Sequence, residues 1–472
     1  MSRIRIRKLF DVRDMTTGSP MASIAQFSIP LLIGNIAQQL YATVDSIVVG
    51  QYVGDRALAA IGASNPVINL LLVLFIGISS GAGIMVSQYF GAKQRDQLSM
   101  TVGNCMTLTL LSSLVITVIG VFITRPLMGI LNTPEEIFVM ACDYMIIIFL
   151  GNVGTSYYNI VSGILRGLGD SFTPLVFLLI ACGLNIVLDL YFVAVLGMGV
   201  AGAAWATIIS QIISAILCVV RLWRMRDVVS ITRKTLRLHK FYALELARLG
   251  LPSGITQAIF SLAMIVVQSL TNSMGTAVIA CTTVVMRVDG FAMMPNFTFG
   301  TAMTTFAGQN MGAGLLERTR QGTRAGLKLG VACACLLTLC ILLFGENLMR
   351  MFTSTDEVVR LGMRMLRVIA VGYIAMAVTQ VLSGVMRGAG DTMTPMWISL
   401  ITTVVLRVPV AYVWAYFTQS EALPHGSSDA IFFSLLISWV MGALITTYFF
   451  RRGKWRSKAI TGRSSAQSVS LD

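Results

Sequence analysis

The sequence predicts an all-α membrane protein in which twelve spanning helices form two six-helix lobes. Three observations predict this class: the composition, a series of long apolar stretches, and a repeat that relates the two halves. Of the 472 residues, 56% are hydrophobic and only 12% are charged, whereas a soluble domain carries roughly 25% charged residues. Since so few charges cannot cover a water-facing surface, much of the surface is expected to face lipid.

The apolar stretches have the length of membrane-spanning helices. A helix that crosses the hydrocarbon core needs about 20 mostly apolar residues. The first stretch follows a polar run and lacks a small-residue cleavage site, so we expect a retained helix rather than a signal peptide. The predicted spans lie near 24–50, 58–86, 100–123, 138–161, 172–194, 200–220, 247–271, 277–305, 326–345, 364–384, 395–417 and 430–450.

The net charge of +14 is distributed between the apolar stretches. Basic residues concentrate at Arg3–Arg13, in the linker Arg221–Arg248 and in the tail Arg451–Arg463. Loops that carry Lys and Arg stay in the cytoplasm, beside anionic lipid. We therefore expect a multi-pass protein of the inner (plasma) membrane with both termini cytoplasmic, and no nucleic-acid binding. The eight cysteines lie in or near apolar stretches and are interpreted as small hydrophobic residues, not as metal ligands or disulfides.

The two halves repeat at a fixed spacing. The segment Gly163–Pro174 (GILRGLGDSFTP) corresponds to Gly384–Pro395 (GVMRGAGDTMTP), and Arg166 and Arg387 of these segments are 221 residues apart. Several matches at one spacing indicate a duplication. Because six spans per half is an even number, the lobes share an orientation and a pseudo-twofold axis along the membrane normal. The predicted parts are an N-terminal segment 1–20, an N-lobe 21–221, a linker 222–245, a C-lobe 246–451 and a basic tail 452–472.

Two acidic residues, Asp45 and Asp189, lie deep inside otherwise apolar spans. An ionised carboxylate at the bilayer centre costs at least ~2.5 kcal/mol, so such a residue predicts a functional site. Asn185 lies one helical turn from Asp189, Tyr41 lies one turn from Asp45, and Gln38 lies two turns away. These polar stripes predict a proton or cation site, while the alternative is a buried acid paired with a neighbouring helix.

Other polar residues in the spans allow more than one interpretation. Arg287 and Asp289 are two apart in the eighth span and cannot share a helical face, so each needs another partner. They fit either a packing or gate pair or a role in binding, whereas Arg407 is expected to be structural. Pro30 removes a backbone hydrogen bond and predicts a kink, which is either a hinge or a static bend.

These residues resemble the multidrug and toxic compound extrusion (MATE) family over nearly the whole chain. The matching motifs are Gln39–Ser46, Ser87–Ala92, Asn185-x-x-x-Asp189, Gly308–Ala313 and the two RG-x-GD loops. The resemblance implies an export antiporter that exchanges bulky organic cations or amphipathic drugs for H⁺ or Na⁺.

The resemblance is to the DinF-type branch of that family. It implies that Asp45, Asn185 and Asp189 bind the coupling ion, with Na⁺ as one candidate, and that Pro30 bends the first helix. Arg287 and Asp289 match that branch's eighth-helix pattern. The NorM-type branch instead carries acids near what are here Phe260 and Met376, so an N-lobe ion site is favoured over a C-lobe one.

The sequence disfavours several other functions. No G-x-x-x-x-G-K-[ST] phosphate loop occurs, so ATP hydrolysis by that route is not expected; we predict no enzyme activity and no cofactor. A flippase for lipid-linked saccharides is the alternative function, although such a cavity usually needs more cationic residues. A scaffold or receptor without transport is a further alternative. The expected partners are small-molecule drugs or organic cations and membrane lipids, and the expected state is a monomer.

Overall fold

The computed structural model describes residues 12–461, apart from 132, 352, 354 and 422. The predicted cytoplasmic cations Arg3, Arg5, Arg7, Lys8 and Arg463 lie outside the described residues. The helices are α1 Pro20–Tyr52, α2 Asp55–Gly91, α3 Arg95–Ile130, α4 Glu135–Leu150 with Asn152–Gly167, α5 Phe172–Asp189, α6 Gly199–Arg224, α7 Lys240–Ser273, α8 Thr276–Gly312, α9 Leu316–Arg350, α10 Asp356–Gly388, α11 Met393–Leu400 with Arg407–Phe417, and α12 Asp429–Arg452.

The helices have the length and surface of membrane spans. Ten of them are long and apolar enough to cross a bilayer, and the two segments of α4, bent by 51°, give an eleventh. The 37-residue helix α2 completes the predicted set of twelve. Large apolar side chains are exposed along them, such as Phe122 at 79% and Leu343 at 66%. Such a surface would be unstable in water, and the all-α membrane class is confirmed.

The corners between helices repeat with the sequence. Gly54 and Gly275, which lead into α2 and α8, both have φ 100°, and Gly169 and Gly390 in the duplicated motif have φ 88° and 93°. Each pair is 221 residues apart in the chain. Since a left-handed backbone favours glycine, these positions show that the two halves share their turns as well as their sequence motifs.

The duplicated RG-x-GD turn starts a helix in both halves. Asp170 accepts hydrogen bonds from the backbone nitrogen of Thr173 at 2.9 Å and from its hydroxyl at 2.5 Å. Asp391 accepts the same two bonds from Thr394, at 3.4 and 2.8 Å. Each carboxylate satisfies a backbone donor in the first helical turn. Asp170 is additionally 3.7 Å from the Arg221 guanidinium.

The chain divides into two compact units. Unit 1 contains residues 29–254 with the segment up to Asp14, and unit 2 contains Met15–Ser28 with the residues from Ile255 onward. These limits differ from the lobe limits 21–221 and 246–451 expected from the repeat. The difference arises because the first part of α1 packs within unit 2, while the linker and the first part of α7 pack within unit 1.

The linker predicted at 222–245 is fixed along α3 within unit 1. The side-chain oxygen of Asn104 accepts a hydrogen bond from the backbone nitrogen of His239 at 2.7 Å. The Ser99 hydroxyl accepts one from the backbone of Ser230 at 3.0 Å. Because these bonds satisfy its backbone, the linker is an ordered part of the unit.

A close helix contact joins α2 to the first part of α7 inside unit 1. A Cβ atom added to Gly250 would lie 2.6 Å from the carbonyl oxygen of Gly77, and one added to Gly81 would lie 2.8 Å from that of Leu246. The hydroxyls of Ser80 and Ser253 are 3.1 Å apart across the same contact. Small residues permit this approach, which is typical of helix packing in membranes.

Candidate functional site

Asp45 of α1 and Asp189 of α5 come together within unit 1. Their carboxyl groups lie within hydrogen-bonding reach of each other. Asp189 is fully buried, and Asp45 is partly buried. An ionised carboxylate only accepts hydrogen bonds, so two neighbouring carboxyl groups can bond to each other only when one carries a proton. The pair can therefore hold a shared proton or, when both groups are ionised, a cation.

Asn185 and Thr207 orient Asp189. With its amide nitrogen toward Asp189, Asn185 donates to Oδ2 at 2.9 Å, and its amide oxygen accepts from the backbone nitrogen of Thr207 at 3.2 Å. Asn185 is fully buried, so its amide is held in place by both partners. The predicted proximity of Asn185 and Asp189, one helical turn apart, is confirmed as a direct hydrogen bond.

Two aromatic hydroxyls complete the surroundings of the pair. Tyr41 donates to the hydroxyl of Thr207 at 3.3 Å, which links α1 to α6. Tyr144 of α4 is 7% exposed and lies close enough to interact electrostatically with both aspartates. Sequence reasoning missed Thr207 and Tyr144, because a single threonine or tyrosine in an apolar helix is common and carries no charge to mark it.

Each aspartate keeps an oxygen that no donor satisfies. The buried Oδ1 atoms of Asp45 and Asp189 have no hydrogen-bond donor within the described part of the chain. Buried acceptors normally find a partner, so these oxygens are suited to bind an added proton or cation. A hard cation prefers oxygen ligands, and the two carboxyl groups and the neighbouring Thr207 hydroxyl supply oxygen. Among the described residues, no three His, Cys, Asp or Glu cluster as a transition-metal site would require.

The helix geometry changes directly after Asp189. Residues Leu190–Val195 form a π-helical turn that continues α5. π-Helical turns widen the backbone and occur frequently at functional sites. This turn could not be predicted from the sequence, since hydrophobic periodicity cannot distinguish one wide turn from an α-helical one.

Gln38 and Arg287 are not brought into a polar cluster. Both side chains are exposed, and neither forms a hydrogen bond or ion pair with the residues that the structure describes. Seven residues along a helix correspond to about 10 Å, which explains why Gln38 does not reach Asp45 although it shares its face. Pro30 lies within the continuous helix α1, two residues beyond Ser28, the last residue that packs with unit 2.

Asp289 belongs to a separate cluster in unit 2. The Tyr373 hydroxyl donates to its Oδ1 at 2.9 Å, and Arg407 interacts with it electrostatically. Arg407 is 6% exposed, and one of its guanidinium nitrogens contacts the sulfur of Met264 at 3.7 Å. Asp289 therefore has a partner on another helix, as predicted, and that partner is not Arg287.

All eight cysteines are free, as expected from their apolar surroundings.

The fold and this site define a multi-pass helical membrane protein with duplicated halves and a buried carboxyl pair in the first of them. The sequence model of the MatE family matches residues 30–191 and again 252–413. The chain belongs to the MatE family.

The relatives and solved structures agree with this assignment. The chain is 30% identical to "Probable multidrug resistance protein YoeA" of Bacillus subtilis, over 93% of this chain and 95% of that protein. It is 26% identical to "Probable multidrug resistance protein NorM" of Thermotoga maritima, over 94% and 95% of the two chains. A crystal structure of MATE in complex with MaL6 superposes with a TM-score of 0.87 at 24% identity and covers 93% of this chain and 97% of that one, which shows the shared fold.

Proposed function

We propose that this protein is a secondary active multidrug efflux antiporter that exports organic cations or amphipathic drugs in exchange for H⁺ or Na⁺. The observation that carries the proposal is the neighbouring pair Asp45 and Asp189, whose Oδ1 atoms lack a donor within the described residues. The names of the relatives from Bacillus subtilis and Thermotoga maritima support drugs as substrates.

The carboxyl pair couples two bound species through its charge. With both groups ionised, the pair attracts a cation, and Asn185 and Tyr41 provide the neighbouring polar groups. A proton or Na⁺ that binds the pair removes this attraction and lets a cationic substrate leave. Because like charges at short distance repel in a low-dielectric site, the fully ionised pair without a bound cation is the least stable state. The arrangement therefore supports the exchange of a cationic substrate for H⁺ or Na⁺.

The available driving force is adequate for export. Moving one charge through 100 mV is worth ~2.3 kcal/mol, and 1.4 kcal/mol corresponds to a factor of ten. One charge per cycle therefore sustains roughly a 50-fold substrate gradient. The proposal places the protein as a monomer in the inner (plasma) membrane with both termini in the cytoplasm, and Pro30 as the hinge at which α1 bends.

The test is efflux of a fluorescent organic cation in inverted vesicles under separately imposed H⁺ and Na⁺ gradients. We expect gradient-driven transport in the wild type and, for Asp45→Asn and Asp189→Asn, transport at the level of vesicles that lack the protein. The matched control is Asp143→Asn, which removes an exposed carboxylate from α4. Full transport by both aspartate variants would contradict the proposal.

The alternative function, flipping of lipid-linked saccharides, is separated by the substrate. If only a labelled lipid-linked saccharide moved in the same vesicles, the flippase would be correct. The structure gives this alternative little support within unit 1, because the described surroundings of the carboxyl pair contain no Lys or Arg that would bind a pyrophosphate.

A further inference from the structure

A small polar cavity lies inside unit 2. Helices α7, α10, α11 and α12 surround it. Its volume is about 50 Å³, which is room for a few water-sized particles and far less than a drug-sized ligand needs. Its polar lining consists of Thr256, Thr379, Gln380, Ser383, Arg387, Ser399, Thr402, Thr403 and Ser438.

Several hydroxyl groups of this lining have no hydrogen-bond partner within the described part of the chain. Ser383, Thr403 and Ser438 are 5%, 3% and 4% exposed, and their hydroxyls form no hydrogen bond with the residues that the structure describes. Buried hydroxyls are normally satisfied. These three hydroxyls line one cavity and are free to donate to an occupant that accepts hydrogen bonds.

The charge of the cavity is positive. Arg387 lines it from the end of α10, and its guanidinium forms no ion pair or hydrogen bond with the described part of the chain. No Asp or Glu belongs to the lining. The carboxylate of Asp391, one turn further on, is engaged by the backbone and hydroxyl of Thr394. The uncompensated guanidinium gives the cavity a positive potential, so the cavity favours an anion.

The apolar part of the lining strengthens this conclusion. Phe260 and Met376, the two positions at which an acid would have produced a cation site in this half, both line the cavity. With these side chains, the cavity has no acidic group that would offset the charge of Arg387 for a bound Na⁺. Its electrostatic preference is therefore opposite to that of the carboxyl pair in unit 1.

We propose that the cavity binds a small monovalent anion of the halide class, with chloride as the physiological ion. The anion lies against the Arg387 guanidinium and accepts hydrogen bonds from the hydroxyls of Ser383, Thr403 and Ser438. Charge-assisted hydrogen bonds of this kind are stronger than neutral ones. Binding compensates the buried charge of α10 and links it to α11 and α12. The proposal does not depend on the transported substrate.

The test measures thermal unfolding of the purified full-length protein at constant Na⁺ concentration and ionic strength. Replacing gluconate by chloride or bromide is expected to raise the unfolding midpoint in a saturable way, because a ligand that binds only the folded state stabilises it. Arg387→Gln should abolish this rise. The matched control Arg166→Gln makes the same change in the motif of the first half and should retain it.

Two further measurements keep the proposal testable if Arg387→Gln does not fold. Ser383→Ala should raise the half-saturating chloride concentration by about tenfold, the effect of one lost hydrogen bond to an ion. Anomalous scattering from crystals grown in bromide should give a peak between Arg387 and Thr403. The proposal is overturned if the wild type shows no halide-specific rise, if Arg166→Gln removes the rise as completely as Arg387→Gln, or if bromide is absent from the cavity.

Discussion

Asp45 and Asp189 are held differently although their carboxyl groups are neighbours. Asp189 is fully buried and receives a hydrogen bond from Asn185 at 2.9 Å. Asp45 is only partly buried, and the side chain within its hydrogen-bonding reach is Asp189. Asp189 is thus the fixed member of the pair and Asp45 the more accessible one. In the proposed exchange cycle, we therefore expect Asp45 to be the group that the arriving ion or substrate meets first.

Thr207 connects the residues around the pair, and its hydroxyl can be tested alone. Thr207→Val keeps the shape and the backbone bond to Asn185 but removes the hydroxyl that accepts from Tyr41. Losing one neutral hydrogen bond costs about 1 kcal/mol, so we expect an efflux rate about fivefold lower. Thr207→Ser should remain close to the wild type. Unchanged efflux by the valine variant would show that Tyr41 and Asn185 are positioned without this hydroxyl.

The sequence predicts the charged part of the site and not its uncharged part. Asp45 and Asp189 stand out because ionisable groups are rare in apolar helices. Thr207 and Tyr144 approach from α6 and α4, and a contact between helices far apart in sequence is set by packing, which a single sequence does not encode locally. Gln38 shares the helical face of Asp45, but the rise along the helix keeps it from direct contact with the carboxyl pair, and its role in substrate binding stays a prediction.

At the scale of helices, the spans were predicted in the correct order, but their ends were not. The ninth span was expected at 326–345, whereas α9 covers Leu316–Arg350. Its first turns contain Arg318 and Arg320. These charged residues lower the local hydropathy, and the predicted span therefore begins later than the helix does. Similarly, the single span expected at 138–161 is two segments bent at Gly151. A Cβ atom at Gly151 would lie 2.2 Å from the side chain of Ile208, so the glycine admits a neighbouring helix.

The contact between α2 and α7 gives a prediction at the same scale. Gly250→Ala places a methyl group 2.6 Å from the carbonyl oxygen of Gly77, closer than the two atoms can approach, so the helices must separate. Overpacking of this kind typically costs about 1–3 kcal/mol. We expect a lower thermal unfolding midpoint in detergent for this variant. Gly62→Ala is the matched control, since a Cβ there meets nothing within 4 Å. Equal midpoints for both variants would contradict the close contact.

For the whole molecule, the duplication was predictable because identical turns recur 221 residues apart. The repeat did not predict which helix segments belong to each of the two compact units. The repeat places the whole of α1 in the first half and the whole of α7 in the second, but residues 15–28 pack within unit 2 and residues 240–254 within unit 1. Each compact unit therefore differs from the corresponding repeat by one helix segment.

This exchange of segments makes the order of synthesis important. The ribosome completes residues 1–233 before residues 240–254, which complete unit 1, have been made. Unit 1 therefore cannot finish packing until the start of the second half has been synthesised. Expressed as separate genes, 1–233 and 234–472 should each be degraded alone and accumulate when produced together, as an immunoblot of membranes would show.

Extending the first fragment to residue 254 should rescue its abundance, because it then carries the Gly250 contact with α2. Equal abundance of the 1–233 and 1–254 fragments would mean that the borrowed segment is dispensable for assembly. With rescue, the first duplicated half would depend on a segment encoded at the start of the second, which would prevent that half from spreading as an independent gene.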